Sequence, residues 1–193
     1  KNVPTVKTVK LEVKYRWDNK GDDTALLQSL IDKNSGLSNG SKKGITILIP
    51  NGVYFFHNVF MKSNVHLLIN KNAVIHLAKG YSETDRNKHI FRFGPDNRSR
   101  VENSSIQCMS AKDGDKFTID LRKYNGASKN MPITISNVFN FKIRGLRILE
   151  KRSQFQGIDL SPGKKPGGGF ARPVKGIIQD IEIQNADYGY GLV

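Results

Sequence analysis

Past residue 44, nearly every segment able to hold regular structure is a short, β-branched run, and two of these runs open alike. Ser63-Asn64-Val65 and Ser136-Asn137-Val138 begin similar strands 73 positions apart. A chain that repeats a strand-and-turn unit can bury each unit's apolar side against the next, and so folds by stacking. A gap of this length fits three turns of a coil of about 24 residues, inside the range of solenoid repeats. Period-two alternation, or short apolar runs between turn residues, mark strands at 45–49, 63–69, 73–77, 117–121, 133–135, 136–149, 157–160 and 174–184. Residues 140–148 and 176–183 align as a bent strand pair. The expected fold is all-β, a parallel β-helix in which inward residues of one coil stack over those of the coil below. A two-sheet sandwich is the competing reading. Pro50-Asn51-Gly52 is a turn, but meander spacing does not follow it.

One helical stretch, GDDTALLQSL at 21–30, precedes the strands. Ahead of it Val9, Leu11, Val13 and Tyr15 alternate with charged residues as a half-buried strand would. Asp22, Asp23 or Thr24 can supply an N-cap oxygen, and Asn34 and Gly36 end the helix. Leu27, Leu30 and Ile31 form one apolar face, which Leu26 widens. The first coil of a solenoid exposes an apolar end and unpaired backbone groups. An amphipathic helix across that end covers both, so this helix is expected to be a cap. The chain stops at DYGYGLV, inside a strand-like run with no second cap. The expectation is therefore a single domain, the N-terminal part of a longer solenoid. Residues 1–36 hold the strand and capping helix, and 45–193 the coils.

The charge narrows the partners. Thirty-one Lys and Arg against 17 Asp and Glu give +14, with a pI near 9.9. A balance this basic attracts polyanions: nucleic acid, anionic lipid, or sulfated or uronic polysaccharide. Simple solubility is the plainer explanation. No apolar run reaches the ~20 residues a membrane helix needs. Cys108 is the single cysteine, so no internal disulfide can form and the compartment stays open. Lys1 in first place suggests a removed leader or tag.

Several residues could carry chemistry. Asp180 and Glu182 flank Ile181, and alternate strand residues project together, as a general acid and base would. With Ile181 and Ile183 turned inward they equally form an ordinary solvated strand face. Asp120 and Asp159 are expected to point outward between inward apolar neighbours. Lys142, Arg144, Arg147, Lys151 and Arg152 are the densest strand-borne cationic cluster. Outward cations on neighbouring coils form rows along the axis, and Arg forks pair well with sulfate oxygens. The loop at 161–173 is Gly- and Pro-rich, carries Lys164, Lys165 and Arg172, and lacks the P-loop pattern. It is expected to be a flexible loop lining a cleft, or a mere connector. Asp113-Gly114-Asp115 hints at calcium without an EF-hand's ligand set. His57, His66, His76 and His89 lack metal-ligand spacing.

The stretches GDDTALLQSLID, ITILIPNGVYFF and MKSNVHLLINKNAVIHL resemble the opening of right-handed β-helix proteins of the pectin-lyase-like group. The match covers residues 10–78 well and later coils more loosely, and it speaks for the fold rather than the activity. IQDIEIQNADYGYGLV, with the basic charge and the Gly-rich loop before it, is similar to the iota-carrageenase family. That resemblance implies a secreted, endo-acting glycoside hydrolase that inverts at the β-1,4 linkages of a doubly sulfated galactan. It places the catalytic pair, spelled Glu-Thr-Asp, one coil past Val193, so no Glu-Thr-Asp, and hence no catalytic residue, is expected within the chain. It also sets Gln154, Gln156, Asp159, Tyr188 and Tyr190 beside the cleft, with Lys142, Arg144, Arg147 and Arg152 as substrate-binding cations. The implied partner is an anionic polysaccharide and not nucleic acid or membrane. A monomer is expected, with no cofactor for the chemistry and a structural calcium left open. A polysaccharide lyase on pectin or alginate, and a non-catalytic adhesin or tailspike, are the alternatives.

Overall fold

The computed structural model describes residues 5–12, 21–35, 44–78, 89–95, 99–110, 112–123, 130–152 and 155–186. Among these described residues one helix, α1 (Thr24–Ser35), accompanies fifteen strands: β1 (Thr5–Lys10), β2 (Gly44–Ile49), β3 (Val53–Phe56), β4 (Val59–Met61), β5 (Val65–Ile69), β6 (Val74–Leu77), β7 (Phe91–Phe93), β8 (Val101–Cys108), β9 (Phe117–Asp120), β10 (Ile133–Ile135), β11 (Val138–Leu149), β12 (Ile158–Asp159), β13 (Gly163–Lys164), β14 (Phe170–Ala171) and β15 (Val174–Gln184). All pairings are parallel except that of β13 with β14.

The strands wind into a right-handed parallel β-helix of three faces. β1, β2, β5, β8 and the first halves of β11 and β15 make one face. β3, β6, β9 and the second halves of β11 and β15 make the next. β4, β7, β10 and β12 make the third. β11 serves two faces because Gly145, at φ 69, turns the strand between its pairing with β8 and its pairing with β9. The bent pair expected at 140–148 and 176–183 is β11 with β15, with Ile148 opposite Ile183.

Inward residues form columns along the axis. On the first face Ile47, Leu67, Ile106 and Ile143 stand over one another with Ile178 beyond them. Tyr54, Ile75, Ile119, Ile148 and Ile183 form the second column. Val59, Phe91, Ile133 and Ile158 form the third. All but Ile178 and Ile183 are buried. Each fully buried aliphatic contributes roughly 1.5–3 kcal/mol, and each coil presents its neighbour with the same shape.

The coil length differs from expectation. Asn64, Asn103 and Asn140 form an amide ladder. Asn103 Nδ2 donates to Asn64 Oδ1 at 3.1 Å across 39 positions, and Asn140 Nδ2 to Asn103 Oδ1 at 2.7 Å across 37. The two coils between these asparagines are therefore 39 and 37 residues, so the 73-position gap spans two coils rather than three, whereas the earlier step from Ile45 to its partner Val65 takes only 20. Nor are the two Ser-Asn-Val triplets equivalent. Asn64 is laddered with Asn140 rather than Asn137, and Val138 pairs with Val101. The three laddered asparagines share left-handed backbone, φ 60, 53 and 57, which asparagine tolerates better than most residues.

The helix is a cap, and its side chains imitate a further strand. Gln28 Oε1 accepts from Phe60 N at 2.8 Å while its Nε2 donates to Phe60 O at 3.2 Å. Asp23 Oδ2 accepts from Phe55 N, and Asp23 N donates to Phe55 O. The open edges of β3 and β4 are thereby paired by α1. Leu27 and Ile31 are buried and Leu30 packs on the core. Leu26 does not widen the face, since it is 41% exposed. At the helix start Asp22 Oδ1 accepts from Thr24 N at 2.9 Å, and the Asp23 carbonyl accepts from Leu27 N at 3.1 Å. The strand before the helix runs earlier than its alternation suggested, at Thr5–Lys10 with Leu11 buried after it. Val13 and Tyr15 lie outside the described residues.

Gln28→Ala is expected to lower the unfolding free energy by about 1–3 kcal/mol, because both polar groups of Phe60 lose their partner. Urea unfolding checks this. An unchanged midpoint would show that side-chain pairing at the edge carries no stability.

Candidate functional site

The last described coils gather most of the residues singled out above. Arg144, Arg147, Asp180 and Glu182 all sit on β11 and β15. Arg147 stands opposite Glu182 in register, and its Nε donates to Glu182 Oε2 at 3.0 Å. Arg144 Nε donates to Asp180 Oδ2 at 3.1 Å and its Nη2 to Asp113 Oδ1 at 3.0 Å. These cations are therefore committed to carboxylates of the neighbouring coil and loop.

The same contacts decide the carboxylates. Asp180 has φ 55, so the strand turns there and the simple alternation with Glu182 is broken. Ile181 and Ile183 pack against the core as expected. Hydrogen bonds from Gln184 and then Arg147 hold Glu182 below the ordinary carboxylate range. The Arg122 fork does the same to Asp120. A general acid must keep its proton near neutral pH, which needs the opposite shift.

Asp159 was expected to face outward and is instead buried at 6% exposure, accepting from the Ser161 hydroxyl. It follows Ile158 on β12, next to buried Thr134 of β10. Gln156 is half-buried and Lys142 is half-buried on β11, while Lys151 and Arg152 are exposed. Arg152 N donates to Asn185 O at 3.0 Å. Gln154, Tyr188 and Tyr190 lie outside the described residues.

The 161–173 segment carries regular structure. β13 and β14 form a two-rung antiparallel hairpin, closed by Lys165 N to Gly169 O at 3.0 Å. Its base packs on the corner at Ser136 and Asn137, where a side chain on Gly163 would meet Ser136 Cβ at 2.9 Å. The hairpin walls a cavity of about 500 Å³ lined by Phe141, Leu160, Pro162, Arg172, Pro173, Gly176 and Ile178. Phe141 and Ile178 belong to the inward rows, so this hollow opens onto the core. Gly176 lets the Phe141 ring lie there: a Cβ would stand 2.0 Å from the ring.

Asp113 and Asp115 are taken by Arg144, Ser110 and Lys71. Among the described residues no group of three or more His, Cys, Asp or Glu could hold a metal ion. His57 meets Asp22, His66 meets Ser105, and His76 meets Asp120 O. Also among the described residues, no helix is long and apolar enough to cross a membrane.

No family model matches the chain. A curated relative, the iota-carrageenase of Zobellia galactanivorans, is 35% identical over 177 residues, 91% of this chain and 33% of its own length. The crystal structure of iota-carrageenase family GH82 from A. fortis superposes with a TM-score of 0.82 at 28% identity, over 99% of this chain and 40% of that one. The chain is iota-carrageenase-like. A second solved structure, a 1,3-alpha-1,4-beta-D-galactose-4-sulfate-3,6-anhydro-D-galactose-2-sulfate 4 galactohydrolase, also gives 0.82 at 28% identity, over 98% of this chain and 41% of that one. This iota-carrageenase-like chain spans about a third of the length of its curated relative.

The iota-carrageenase-like chain does contain a Glu-Thr-Asp, at Glu83-Thr84-Asp85, which the expectation of none within its length passed over. That tripeptide lies outside the described residues. It falls between β6 and β7, about a hundred residues before the stretch whose next coil the resemblance points to.

Proposed function

We propose that the chain is part of an endo-acting glycoside hydrolase that cleaves the β-1,4 linkages of iota-carrageenan with inversion, and that it works outside the cell. The 35% identity over 91% of the chain carries this reading, and the charge of +14 suits a sulfated substrate. Inversion needs an acid and a base on opposite sides of the sugar, about 6.5–9.5 Å apart with room for water. Asp180 and Glu182 are poor candidates, because each is bound to an arginine. We place the catalytic pair outside the described residues, where the family resemblance implies it. The described coils supply a rigid stack on which it is carried.

The test is release of reducing ends from iota-carrageenan, with kappa-carrageenan, agarose and polygalacturonate as controls. It is run on the 193-residue chain and on a chimera in which this chain replaces the matching third of the Zobellia galactanivorans relative. The chimera is expected to cut iota-carrageenan and the chain alone to cut nothing. Cleavage of polygalacturonate with unsaturated ends would replace this reading with a lyase. Cleavage by the chain alone would move the pair inside it, with Glu83, Asp85, Asp180 and Glu182 as the residues to mutate.

A further inference from the structure

We infer that Arg100, Phe139 and Lys175 form a non-catalytic platform on the outer surface that holds two sulfates of the polymer; the inference rests on the substrate proposed above. Each residue comes from a different coil. Phe139 is half-buried on the outer side at the start of β11. The Arg100 guanidinium carbon lies 5.7 Å from its ring centroid and the Lys175 ammonium 5.1 Å. Arg100 directly precedes Val101, which pairs with Val138, and Lys175 follows Val174, which pairs with Phe139. The cations thus reach the ring from the coils on either side, about two inter-strand steps or ~10 Å apart along the axis.

Both cations are exposed. Neither makes an ion pair with a carboxylate among the described residues, in contrast to Arg144 and Arg147. Contact with an aromatic face fixes a cation's position at little cost to its charge, and leaves the arginine fork directed at solvent. Lys175 is further constrained. Its φ of 55 puts it in the left-handed place that Asn64, Asn103 and Asn140 hold in earlier coils, so the amide ladder ends in an ammonium. Glu102 is exposed opposite Phe139 and cuts the net charge of this corner. What the corner offers is therefore placement of two cations about an apolar ring, not density of charge. The galactohydrolase named above acts on a polymer whose alternating sugars, a galactose and an anhydrogalactose, each carry one sulfate. Two anions flanking an apolar sugar face are the complement of two cations flanking a phenyl ring.

The test is affinity electrophoresis of the full 193-residue chain through gels containing iota-carrageenan, agarose or polygalacturonate. Three variants are compared: Arg100→Gln/Lys175→Gln, Phe139→Leu, and Lys33→Gln/Lys112→Gln, which removes the same charge from exposed positions elsewhere. The first is expected to weaken retention by iota-carrageenan about tenfold, and Phe139→Leu by about threefold through loss of positioning. The control pair should stay within about twofold of wild type. Equal loss in the control pair would overturn the platform, since net charge alone would then hold the polymer. Equal retention by polygalacturonate would overturn it as well. An unretarded wild-type chain alongside an active chimera would reject the platform and leave the hydrolase reading intact. An inactive chimera that still shows the variant pattern would reject the hydrolase and keep the platform.

Discussion

Gly94→Ala is expected to remove about 4 kcal/mol of stability, a large share of the roughly 5–15 kcal/mol that holds a domain folded. Two independent costs add at this position. Gly94 has φ 56, a conformation that costs an L-residue roughly 1–2 kcal/mol. A Cβ there would also lie 2.0 Å from Asn137 O and 2.5 Å from Asn137 C. Those are backbone atoms, and they are tied in place. Asn137 N donates to Gly94 O at 3.0 Å, and Val101 N donates to Asn137 O at 3.0 Å. Asn137 cannot retreat without breaking the bonds that stack one coil on the next. Gly114→Ala separates the two costs, since Gly114 has φ 92 but nothing within 4 Å of the added carbon. It should cost only about 1 kcal/mol. Denaturant unfolding of both variants decides the matter. Equal losses would show that the overlap is relieved at no expense and that coil stacking at this corner is soft.

The parts of this fold that the sequence displays are those set by local pattern. Val65, Leu67 and Ile69 alternate with His66 and Leu68, and the alternation survives as inward and outward faces of β5. The helix declares itself by Leu27 and Ile31 and by the acidic residues ahead of it, and it caps as expected. β4 and β7, three residues each, are too short to show a period at all. The coil length is hidden because the intervening repeat does not spell Ser-Asn-Val. Its corner asparagine, Asn103, is followed by Ser104 and Ser105, so the eye passes from Asn64 to Asn137. Asparagines at 58, 64, 103, 140 and 185 share positive φ, a backbone feature that the structure shows and the sequence does not spell.

Site residues were harder to read because their roles depend on neighbours in other coils. Arg144 and Arg147 look like a cationic row in the sequence. Only the 35-position offset to Glu182 shows that Arg147 is paired across coils. Asp159 has the alternation of an outward residue, and nothing local says that its outer side is covered. The useful cations, Arg100 and Lys175, lie 75 positions apart and flank no recognisable motif. They meet only because two coil lengths bring them to one corner.

Lowering the pH from 6.5 toward 4 is expected to cost the fold about 3 kcal/mol through His89 alone. His89 is 5% exposed. Burial, and then the charge of Arg92, push its imidazole down to about 4, against a smaller opposing effect of the Met131 carbonyl. Its Nδ1 lies 3.2 Å from Met131 O and 2.7 Å from the Thr134 hydroxyl. The folded state thus keeps His89 neutral down to about pH 4, whereas the unfolded chain takes up its proton near 6.5. Between those values the unfolded state binds more protons, so stability is fully present above about 6.5 and falls as the pH drops to about 4. His66 and His76, also lowered by burial, act with the same sign. Asp120 and Glu182 lose their pairings only as the pH falls through their lowered values. Denaturant midpoints measured from pH 7.5 to 4, for wild type and His89→Gln, isolate the one residue. The variant should be less stable at pH 7.5, because Thr134 and the Met131 carbonyl lose a fitted partner, and should show a flatter decline with acid. Parallel curves would mean that His89 protonates in the folded state as readily as in the unfolded one, and that the buried corner between β7 and β10 admits a charge.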